Sequence, residues 1–259
     1  MSRLTAFITR YLFGALSCLY LFTLGVLREK NRLLISSICA HFGYREKAPV
    51  PVLPKVGVAT LVPEDLPIQV REPVEADGNI SLVEIAVISK LIKSRDPAAV
   101  FEIGTFDGRT TLNMAANSPA DARIFTLDLP RQATTELPID PGEEKYIDKE
   151  VSGTRFIGTD CERKITQLYG DSATFDFAPY HNTIDVIFVD GAHSYEYVLH
   201  DSHAALKLLK NGKGLILWHD YDKIWWPGLT RALNELYAEQ REFSGVKHID
   251  GTSLVCLIL

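Results

Sequence analysis

The sequence predicts an α/β fold with a doubly wound, mostly parallel sheet of seven strands. Short, continuous apolar runs alternate with segments of helical periodicity from residue 80 onward. Strands of that kind are typical of a parallel sheet that helices cover on both faces. Residues 247–249 and 253–259, around Asp250-Gly251, predict a closing antiparallel hairpin. A helical extension precedes the domain.

The individual strands and helices follow from the spacing of apolar residues. Apolar runs predict strands at residues 98–103, 122–127, 183–189 and 214–218, with a short element at 169–171. Apolar residues at helical spacing predict helices at residues 80–93, 110–116, 197–210 and 228–240. The first of these helices starts with Ser81 and Glu84, which have the spacing of a capping box. Residues 130–153 are polar and irregular, and they predict an insertion between two strands.

Three segments divide the chain, whose 259 residues allow one large domain or two small ones. Residues 1–47 predict a hydrophobic helical segment, residues 48–77 a proline-rich linker, and residues 78–259 the α/β domain. Six prolines lie between residues 48 and 73, so this stretch cannot be a long helix. We expect it to be an extended linker or a strap over the domain surface.

Residues 11–27 form a run of 17 residues without a charge. A helix of that length spans about 26 Å, slightly less than the ~30 Å hydrocarbon core of a bilayer. The run is preceded by Arg3 and Arg10 and followed by Arg28, Lys30 and Arg32. A cleaved signal peptide is disfavoured, because no small-x-small cleavage site precedes the basic cluster. A buried helix and a short membrane anchor or interfacial helix both fit, and as an anchor it would hold the domain on the cytoplasmic side.

Charge and cysteine content narrow the function and the compartment. The net charge is −6 and the isoelectric point is about 5.7, which argues against a general nucleic-acid-binding protein. The four cysteines are sparse and form no C-x-x-C pair. We therefore expect a protein of a reducing compartment, the cytoplasm, with a small-molecule partner.

Two glycines, Gly104 and Gly108, follow the strand at 98–103 and precede a helix. Glycines at that point let the backbone turn tightly and approach a ligand, and nucleotide-like ligands bind there in doubly wound sheets. The spacing is not G-x-G-x-x-G, and no Gly-Lys-Ser/Thr follows, so neither a dinucleotide fingerprint nor a P-loop is present. Two glycines at such a turn also serve packing alone.

Acidic residues end the next two strands. Asp128 closes the strand at 122–127, where a carboxylate can accept hydrogen bonds from ribose hydroxyls. Asp171 is the last residue of the element at 169–171 and Ser172 follows it, and the carboxylate of Asp171 can face an adenine amino group there. A solvated loop acid is the alternative for Asp128, and a turn or helix-cap role is the alternative for Asp171.

A candidate metal cluster is predicted at the ends of two further strands. Asp190 and Asp220 are 30 residues apart and one helix separates their strands, so a right-handed crossover makes the strands neighbours. Neighbouring strands lie about 4.8 Å apart. His193 and His219 bring two imidazoles to the same place. The oxygen ligands suit Mg²⁺, whereas strand-end caps and loop hydrogen bonds are the alternative.

As a set, these motifs resemble class I S-adenosylmethionine-dependent methyltransferases. The segments EIGTFDG, DVIFVDG, VDGAHSYE and HDY carry the likeness, which is closest to small-molecule and sugar O-methyltransferases of the methyltransferase domain 24 type and covers residues 78–259. The resemblance implies a Rossmann-like fold and S-adenosylmethionine as cofactor. It implies that the cofactor contacts Glu102, Gly104, Thr105, Gly108, Asp128, Asp171, Ser172 and Asp190.

The resemblance also implies roles in catalysis. It assigns metal binding to Asp190 and Asp220, proton abstraction to His193, and a catalytic part to Asp190 as well. His219 stands where several relatives carry a third acid. A histidine ligand there favours Mn²⁺, Fe²⁺ or Zn²⁺ over Mg²⁺, or it means that no metal binds.

These observations favour methyl transfer to an oxygen of a small molecule or sugar, with a nitrogen acceptor still open. The alternative is a methyltransferase-like binding or assembly module without catalysis. An NAD(P)-dependent oxidoreductase is disfavoured, because both the G-x-G-x-x-G loop and a Tyr-x-x-x-Lys pair are missing. Trp218, Trp225 and Trp226 flank the cluster and either wall an acceptor pocket or belong to core and surface. The sequence leaves the acceptor and the oligomeric state undefined.

Overall fold

The computed structural model describes residues 3–28, 31, 34–35, 38–39, 49–140 and 142–259. The chain divides into two compact units, Met1–Ala48 and Pro49–Leu259. The sequence predicts the start of the α/β domain at residue 78, whereas the compact unit begins at Pro49. The proline-rich segment is therefore part of the folded unit.

In the N-terminal unit, helix α1 spans Arg3–Leu21 and a 3₁₀ turn spans Leu24–Leu27. The uncharged run at 11–27 is thus divided between two elements, with a break at Phe22 and Thr23. Among the described helices, none has both the length and the apolarity needed to cross a bilayer.

The second unit contains one sheet of eight strands. The strands are β1 (Lys55–Val56), β2 (Ala99–Ile103), β3 (Arg123–Asp128), β4 (Ile165–Tyr169), β5 (Val186–Val189), β6 (Leu215–Trp218), β7 (Lys247–Ile249) and β8 (Val255–Ile258). Their order is β1-β7-β8-β6-β5-β2-β3-β4, and all pairs are parallel except β6–β8 and β7–β8. The predicted fold class is confirmed, but the predicted count of seven strands is wrong. The extra strand, β1, has only two residues in the proline-rich segment, too few for a periodic pattern.

The helices of this unit are α2 (Val58–Leu61), α3 (Leu82–Arg95), α4 (Arg109–Asn117), α5 (Glu144–Ile147), α6 (Tyr195–Leu208) and α7 (Pro227–Glu239). Helix α3 begins as the sequence predicts. The Ser81 side chain accepts a hydrogen bond from the Glu84 backbone, and the Glu84 carboxylate accepts one from the Ser81 backbone. This capping box satisfies backbone donors of the first turn that have no partner within the helix.

Apolar side chains fill both faces of the sheet, as expected for buried parallel strands. Along β2, Phe101 belongs to the core that includes residues of α6 and α7. Its neighbour Val100 belongs to the core that includes residues of α3 and α4. Successive strand residues point to opposite faces, so one short apolar run contributes to both cores.

Asparagines of α4 hold the proline-rich segment on the domain. Asn113 donates to the carbonyl of Arg71 and accepts from its backbone N–H, and Asn117 does the same with Gln69. The buried guanidinium of Arg109 donates to the carbonyls of Glu72, Pro73 and Ile80. These side chains recur every four residues on α4, so one helix face binds an extended segment.

The sheet order determines where a ligand can bind. Strand β2 lies between β3 and β5, and the chain crosses from β2 to β3 on one side while β5 pairs with β2 on the other. This is the topological switch point of a doubly wound sheet, where a crevice opens outside the carboxyl ends of the strands. The loops after β2, β3, β5 and β6 all meet at this edge.

Candidate active site

A cavity of about 320 Å³ lies at this edge of the sheet. Its wall includes most of the residues that the sequence singles out, namely Gly104, Thr105, Asp128, Asp171, Ser172, Asp190, His193, His219 and Asp220. The insertion after β3 adds Ile139, Glu143, Tyr146, Ile147 and Lys149. Residues that are more than 100 positions apart in the sequence therefore line the same cavity. Which of them contact a cofactor or a metal stays a prediction.

Gly104 brings the loop after β2 against the end of β5. Its φ is +99°, and a Cβ atom at this position would lie 2.0 Å from the carbonyl oxygen of Asp190. Both the backbone conformation and the contact require glycine. The loop carrying Thr105 and the carboxylate of Asp190 therefore face the same part of the cavity.

Glu102 and Gly108 lie outside the cavity wall. The Glu102 carboxylate is buried inside the sheet and accepts hydrogen bonds from the hydroxyls of Thr111 and Thr126. Burial raises the pKa of Glu102 to about 8. Gly108 has a φ of +83°, and a Cβ there would meet Gly153 at 2.7 Å. The cofactor contacts that the resemblance implies for these two residues stay a prediction.

Asp128 ends β3 in the cavity wall, and residues of the insertion already bind its carboxylate. The Lys149 ammonium lies 3.0 Å from Oδ2, and the Ser152 hydroxyl donates to the same oxygen. Burial raises the pKa of Asp128 in spite of the lowering effect of Lys149. The carboxylate is thus held in place at the position expected for a ribose ligand.

Asp171 also binds the insertion. Both of its carboxylate oxygens accept from the Tyr197 hydroxyl, at 2.8 and 2.9 Å, and Oδ2 accepts from the Glu136 backbone at 2.7 Å. The backbone N–H of Ala173 donates to Oδ1. This turn-forming bond is the alternative that the sequence left open, and it coexists with a place in the cavity wall beside Ser172.

Asp190 and His219 follow directly on strands β5 and β6, which pair in parallel with Val189 opposite Trp218. The predicted adjacency of these strands is confirmed. The Nδ1 atom of His219 lies 3.1 Å from Asp190 Oδ1 and 3.4 Å from Asp220 Oδ1. Its Nε2 atom lies 3.3 Å from Glu84 Oε2. Both ring nitrogens of His219 thus face carboxylates, and its metal ligation stays a prediction.

Electrostatics favour a charged His219 ring. Burial disfavours the charge, but the carboxylates of Asp190 and Glu84 outweigh it and raise the pKa of His219 well above its usual value. Burial would likewise raise the pKa of Glu84, yet the hydrogen bond and charge of His219 hold it well below the usual range. Glu84 also accepts from the backbone and hydroxyl of Ser253. A buried chain of polar groups therefore links α3 and β8 to the cavity.

His193 lies between two carboxylates. Its Nδ1 atom is 2.6 Å from Glu143 Oε1, and its Nε2 atom is 3.1 Å from Asp220 Oδ2. Burial lowers the pKa of His193, but the hydrogen bonds that its ring donates to Asp220 and Glu143 together raise it to about 9. The Trp226 ring stacks on the imidazole with centroids 4.4 Å apart and an interplanar angle of 14°.

Three side chains are placed so that they could ligate a metal ion, and the set contains His193 where the predicted set contains His219. Ligand atoms of Asp190, His193 and Asp220 all lie within 4.8 Å of one another, whereas His219 is not part of this group. Four carboxylates and two imidazoles meet here when Glu84 and Glu143 are included. The cluster thus stays formally negative even with both rings protonated. Its donors and its charge fit a divalent cation.

Apolar and aromatic side chains also line the cavity. They include Ile80, Leu129, Ile139, Tyr146, Ile147 and Trp226. Of the tryptophans that the sequence left undecided, Trp226 is in the cavity wall, Trp218 is fully buried in the core, and Trp225 is 69% exposed. A few convergent polar groups at one end of an apolar cleft are typical of a small-molecule site.

Comparison with known proteins shows what this part of the chain is similar to. A family model of the methyltransferase domain matches residues 101–221, the part of the chain that runs from β2 to the end of the β6 loop. This similarity agrees with the resemblance that the sequence motifs carry.

Two plant proteins are similar to this chain in sequence. A protein of Arabidopsis thaliana, named provisionally as a caffeoyl-CoA O-methyltransferase, is 30% identical over 165 residues, which are 62% of this chain and 63% of that protein. Tapetum-specific methyltransferase 1 of the same plant is 29% identical over 173 residues, 64% of this chain and 66% of that protein. The chain thus spans just under two thirds of the length of these relatives.

Among solved structures, an O-methyltransferase of Bacillus cereus in complex with SAH matches with a TM-score of 0.49 and 15% sequence identity. The match covers 71% of this chain and 84% of that one.

Sequence reasoning missed three side chains of this site. Glu84 was found only as a capping residue, because its second contact lies 135 residues away in the chain. Glu143 and Lys149 lie in the irregular insertion, which has no periodicity from which a contact can be derived. A polar insertion placed after the strand that ends at Asp128 was the one available indication.

Proposed function

We propose that this protein transfers the methyl group of S-adenosylmethionine to a hydroxyl oxygen of a small molecule, with a divalent cation at the acceptor. One observation carries the proposal. The glycine loop, Asp128 and the cluster of Asp190, His193 and Asp220 share one cavity. A cofactor site and an acid–base site are therefore within reach of each other.

The cofactor end of the cavity fits the proposed ligand. S-adenosylmethionine supplies a methyl group on a positively charged sulfur. Asp128 is placed to accept from ribose hydroxyls, with Lys149 and Ser152 fixing its orientation. Gly104 and Thr105 form the wall where the backbone approaches closely. Asp171 and Ser172 are the corresponding candidates at the adenine end.

At the acceptor end the residues must orient a hydroxyl and remove its proton. The acceptor oxygen forms a bond to the methyl carbon while the carbon–sulfur bond breaks, and S-adenosylhomocysteine leaves. His193 takes the acceptor proton at Nε2, the ring nitrogen that faces Asp220. Trp226 and the apolar side chains of the insertion hold the body of the acceptor.

Asp190 and Asp220 are the residues that would hold a cation, because their carboxylate oxygens converge beside His193. The ion would lower the pKa of the acceptor hydroxyl and offset the negative charge of Asp220. His193 is kept for the proton transfer, and His219, to which the sequence also pointed, lies beside Asp190. Mg²⁺ and Mn²⁺ both suit a site with two carboxylates.

Calorimetric titration of the full chain tests the cofactor first. S-adenosylmethionine and S-adenosylhomocysteine are each expected to bind with micromolar affinity, and NAD⁺ is expected not to bind. A methylation screen with hydroxyl acceptors then follows, with and without Mg²⁺. Caffeoyl-CoA belongs in this screen, because one relative carries its name.

The alternative, a binding or assembly module, makes a different prediction. It would bind S-adenosylhomocysteine yet methylate nothing in the screen. Methyl transfer that requires Asp190 excludes it. Absence of cofactor binding would reject both.

We also propose that the N-terminal unit lies on an anionic membrane surface on the cytoplasmic side. Large apolar side chains of α1 and the following turn are exposed, with Phe13 at 74% and Leu27 at 75%. Residues 1–28 contain three arginines and no acid. An apolar helix that carries basic and no acidic residues is typical of the membrane interface.

Vesicle sedimentation tests this second proposal. The full chain is expected to sediment with vesicles of phosphatidylglycerol and phosphatidylcholine, and less with phosphatidylcholine alone. Phe13→Ser combined with Leu16→Ser is expected to reduce the bound fraction severalfold. Val74→Ser is the control, because Val74 is equally exposed but lies in the other unit. Equal binding by all three proteins would reject the proposal.

A further inference from the structure

We propose that Glu143 is the positioning residue of His193, so that the insertion after β3 supplies part of the catalytic machinery. The inference rests on the proposed function for the role of His193. The contact itself is independent of that role. Neither the family match nor the relatives' names assign anything to Glu143.

Glu143 contacts both the backbone and the ring of His193. One oxygen of Glu143, Oε1, lies 2.6 Å from the backbone nitrogen of His193 and 2.6 Å from its ring Nδ1. The Glu143 side chain is almost fully buried. A single carboxylate oxygen therefore fixes both the backbone and the ring of the same histidine.

Chemistry determines the protonation at Nδ1. An ionised carboxylate only accepts hydrogen bonds, so the ring nitrogen 2.6 Å away carries the hydrogen. When the ring gives up one proton, Nδ1 keeps its hydrogen and the lone pair is left on Nε2. That atom lies 3.1 Å from Asp220 Oδ2, on the side of the metal-ligating set. Glu143 thereby selects which nitrogen is available to the acceptor.

The ring has little freedom to leave this orientation. Trp226 covers one face with its centroid 4.4 Å away and nearly parallel. A flip of the ring would place a carbon against Glu143 and lose the hydrogen bond. The geometry matches the general pattern in which a carboxylate orients a catalytic or metal-bound histidine through its second nitrogen.

Glu143 is itself held by the insertion. Its other oxygen, Oε2, accepts from the backbone of Asp140 at 2.8 Å. Within the described residues its only ion pair is with His193. The neighbouring Glu144 binds a local backbone donor, Gly142, and is exposed. A buried carboxylate costs free energy unless it is paired, so burial of Glu143 is explained by His193 rather than by the short helix α5.

Proton NMR of the full chain tests the contact without an acceptor. The wild type is expected to show a downfield, slowly exchanging imidazole N–H resonance that His193→Gln removes. Glu143→Ala is expected to lose this resonance. Glu143→Gln is expected to keep it with a smaller downfield shift, because an amide oxygen still accepts. Glu144→Ala is the matched control and keeps the wild-type signal. Persistence of the signal in Glu143→Ala would overturn the proposal.

Kinetics with whichever acceptor the screen identifies tests the role. Glu143→Ala is expected to lower kcat by about 10- to 100-fold, with Glu143→Gln intermediate. The affinity for S-adenosylhomocysteine is expected to stay within twofold. Unchanged kcat, or a parallel loss of cofactor affinity, would overturn the positioning role. If the wild type binds no cofactor, the proposed function fails instead, and the NMR result still decides the contact.

Discussion

The ammonium of Lys149 lies 3.0 Å from the carboxylate of Asp128, and both side chains are largely buried. The insertion thus provides a counter-charge for the acid that closes β3. Burial alone would make the charged form of Asp128 unfavourable, and Lys149 opposes this effect. Ribose hydroxyls need an acceptor, so the pair matters for the cofactor.

Lys149→Met is expected to weaken binding of S-adenosylhomocysteine by about tenfold. It is also expected to lower the free energy of unfolding by about 3 kcal/mol, because Asp128 is left buried without its partner. Calorimetry and urea unfolding measure the two effects. Lys145→Met is the control, because its partner Asp77 is 80% exposed and such surface pairs contribute little. Tighter binding in Lys149→Met would mean that the ammonium competes with the ribose.

Gly104→Ala is expected to unfold the domain or cost more than about 4 kcal/mol of unfolding free energy, since the new Cβ would lie 2.0 Å from the Asp190 carbonyl oxygen. Gly142 has nearly the same φ, +97° against +99°, but a Cβ there meets nothing within 4 Å. Gly142→Ala therefore isolates the backbone cost, about 1–2 kcal/mol. Urea unfolding of both variants gives the comparison. Similar losses would show that the contact with Asp190 relaxes at no cost.

Glu102→Gln is expected to make stability less dependent on pH. The pKa of the folded Glu102 is about 8, above the ordinary value of 4.5, so the folded state binds more protons between these values. Stability from this group is therefore lost as pH rises through that window, by on the order of 1 kcal/mol per pH unit. Glutamine still accepts from Thr111 and Thr126 but does not titrate. Urea unfolding at several pH values measures the two slopes, and equal slopes would contradict the prediction.

Asp220→Asn is expected to weaken Mn²⁺ binding at least tenfold, because it removes a charged donor of the proposed site. Electron paramagnetic resonance of free Mn²⁺ gives the dissociation constant for the full chain. Asp222→Asn is a suitable control, because this acid lies two residues away but is exposed and outside the ligand set. If the wild type and Asp220→Asn bind Mn²⁺ alike, the site is elsewhere or absent.

Local and nearest-neighbour features were predictable from the sequence. The capping box of Ser81 and Glu84 depends on four consecutive residues, and the structure contains it. The adjacency of Asp190 and Asp220 follows from one crossover between two parallel strands, and β5 does pair with β6. Chain direction and handedness decide such placements before any side chain packs.

Contacts made by irregular segments were not predictable. Glu143 reaches His193 over 50 residues through a loop whose conformation depends on the tertiary structure. Strand β1 forms because His248 and Ile249 offer an edge, not because Lys55 and Val56 have a strand pattern. The second bond of Glu84, to His219, likewise depends on the packing of α3 against the sheet.

The insertion connects β3 with β4, and β4 is the last strand at its edge of the sheet. An edge strand has one neighbour, so replacement of the connection before it leaves the pairing of the central strands intact. Lys149 and Glu143 both belong to that connection and would be replaced together with it. Exchange of this one loop would therefore change the orientation of His193 and the counter-charge of Asp128 together, while the pairing of the central strands stays the same.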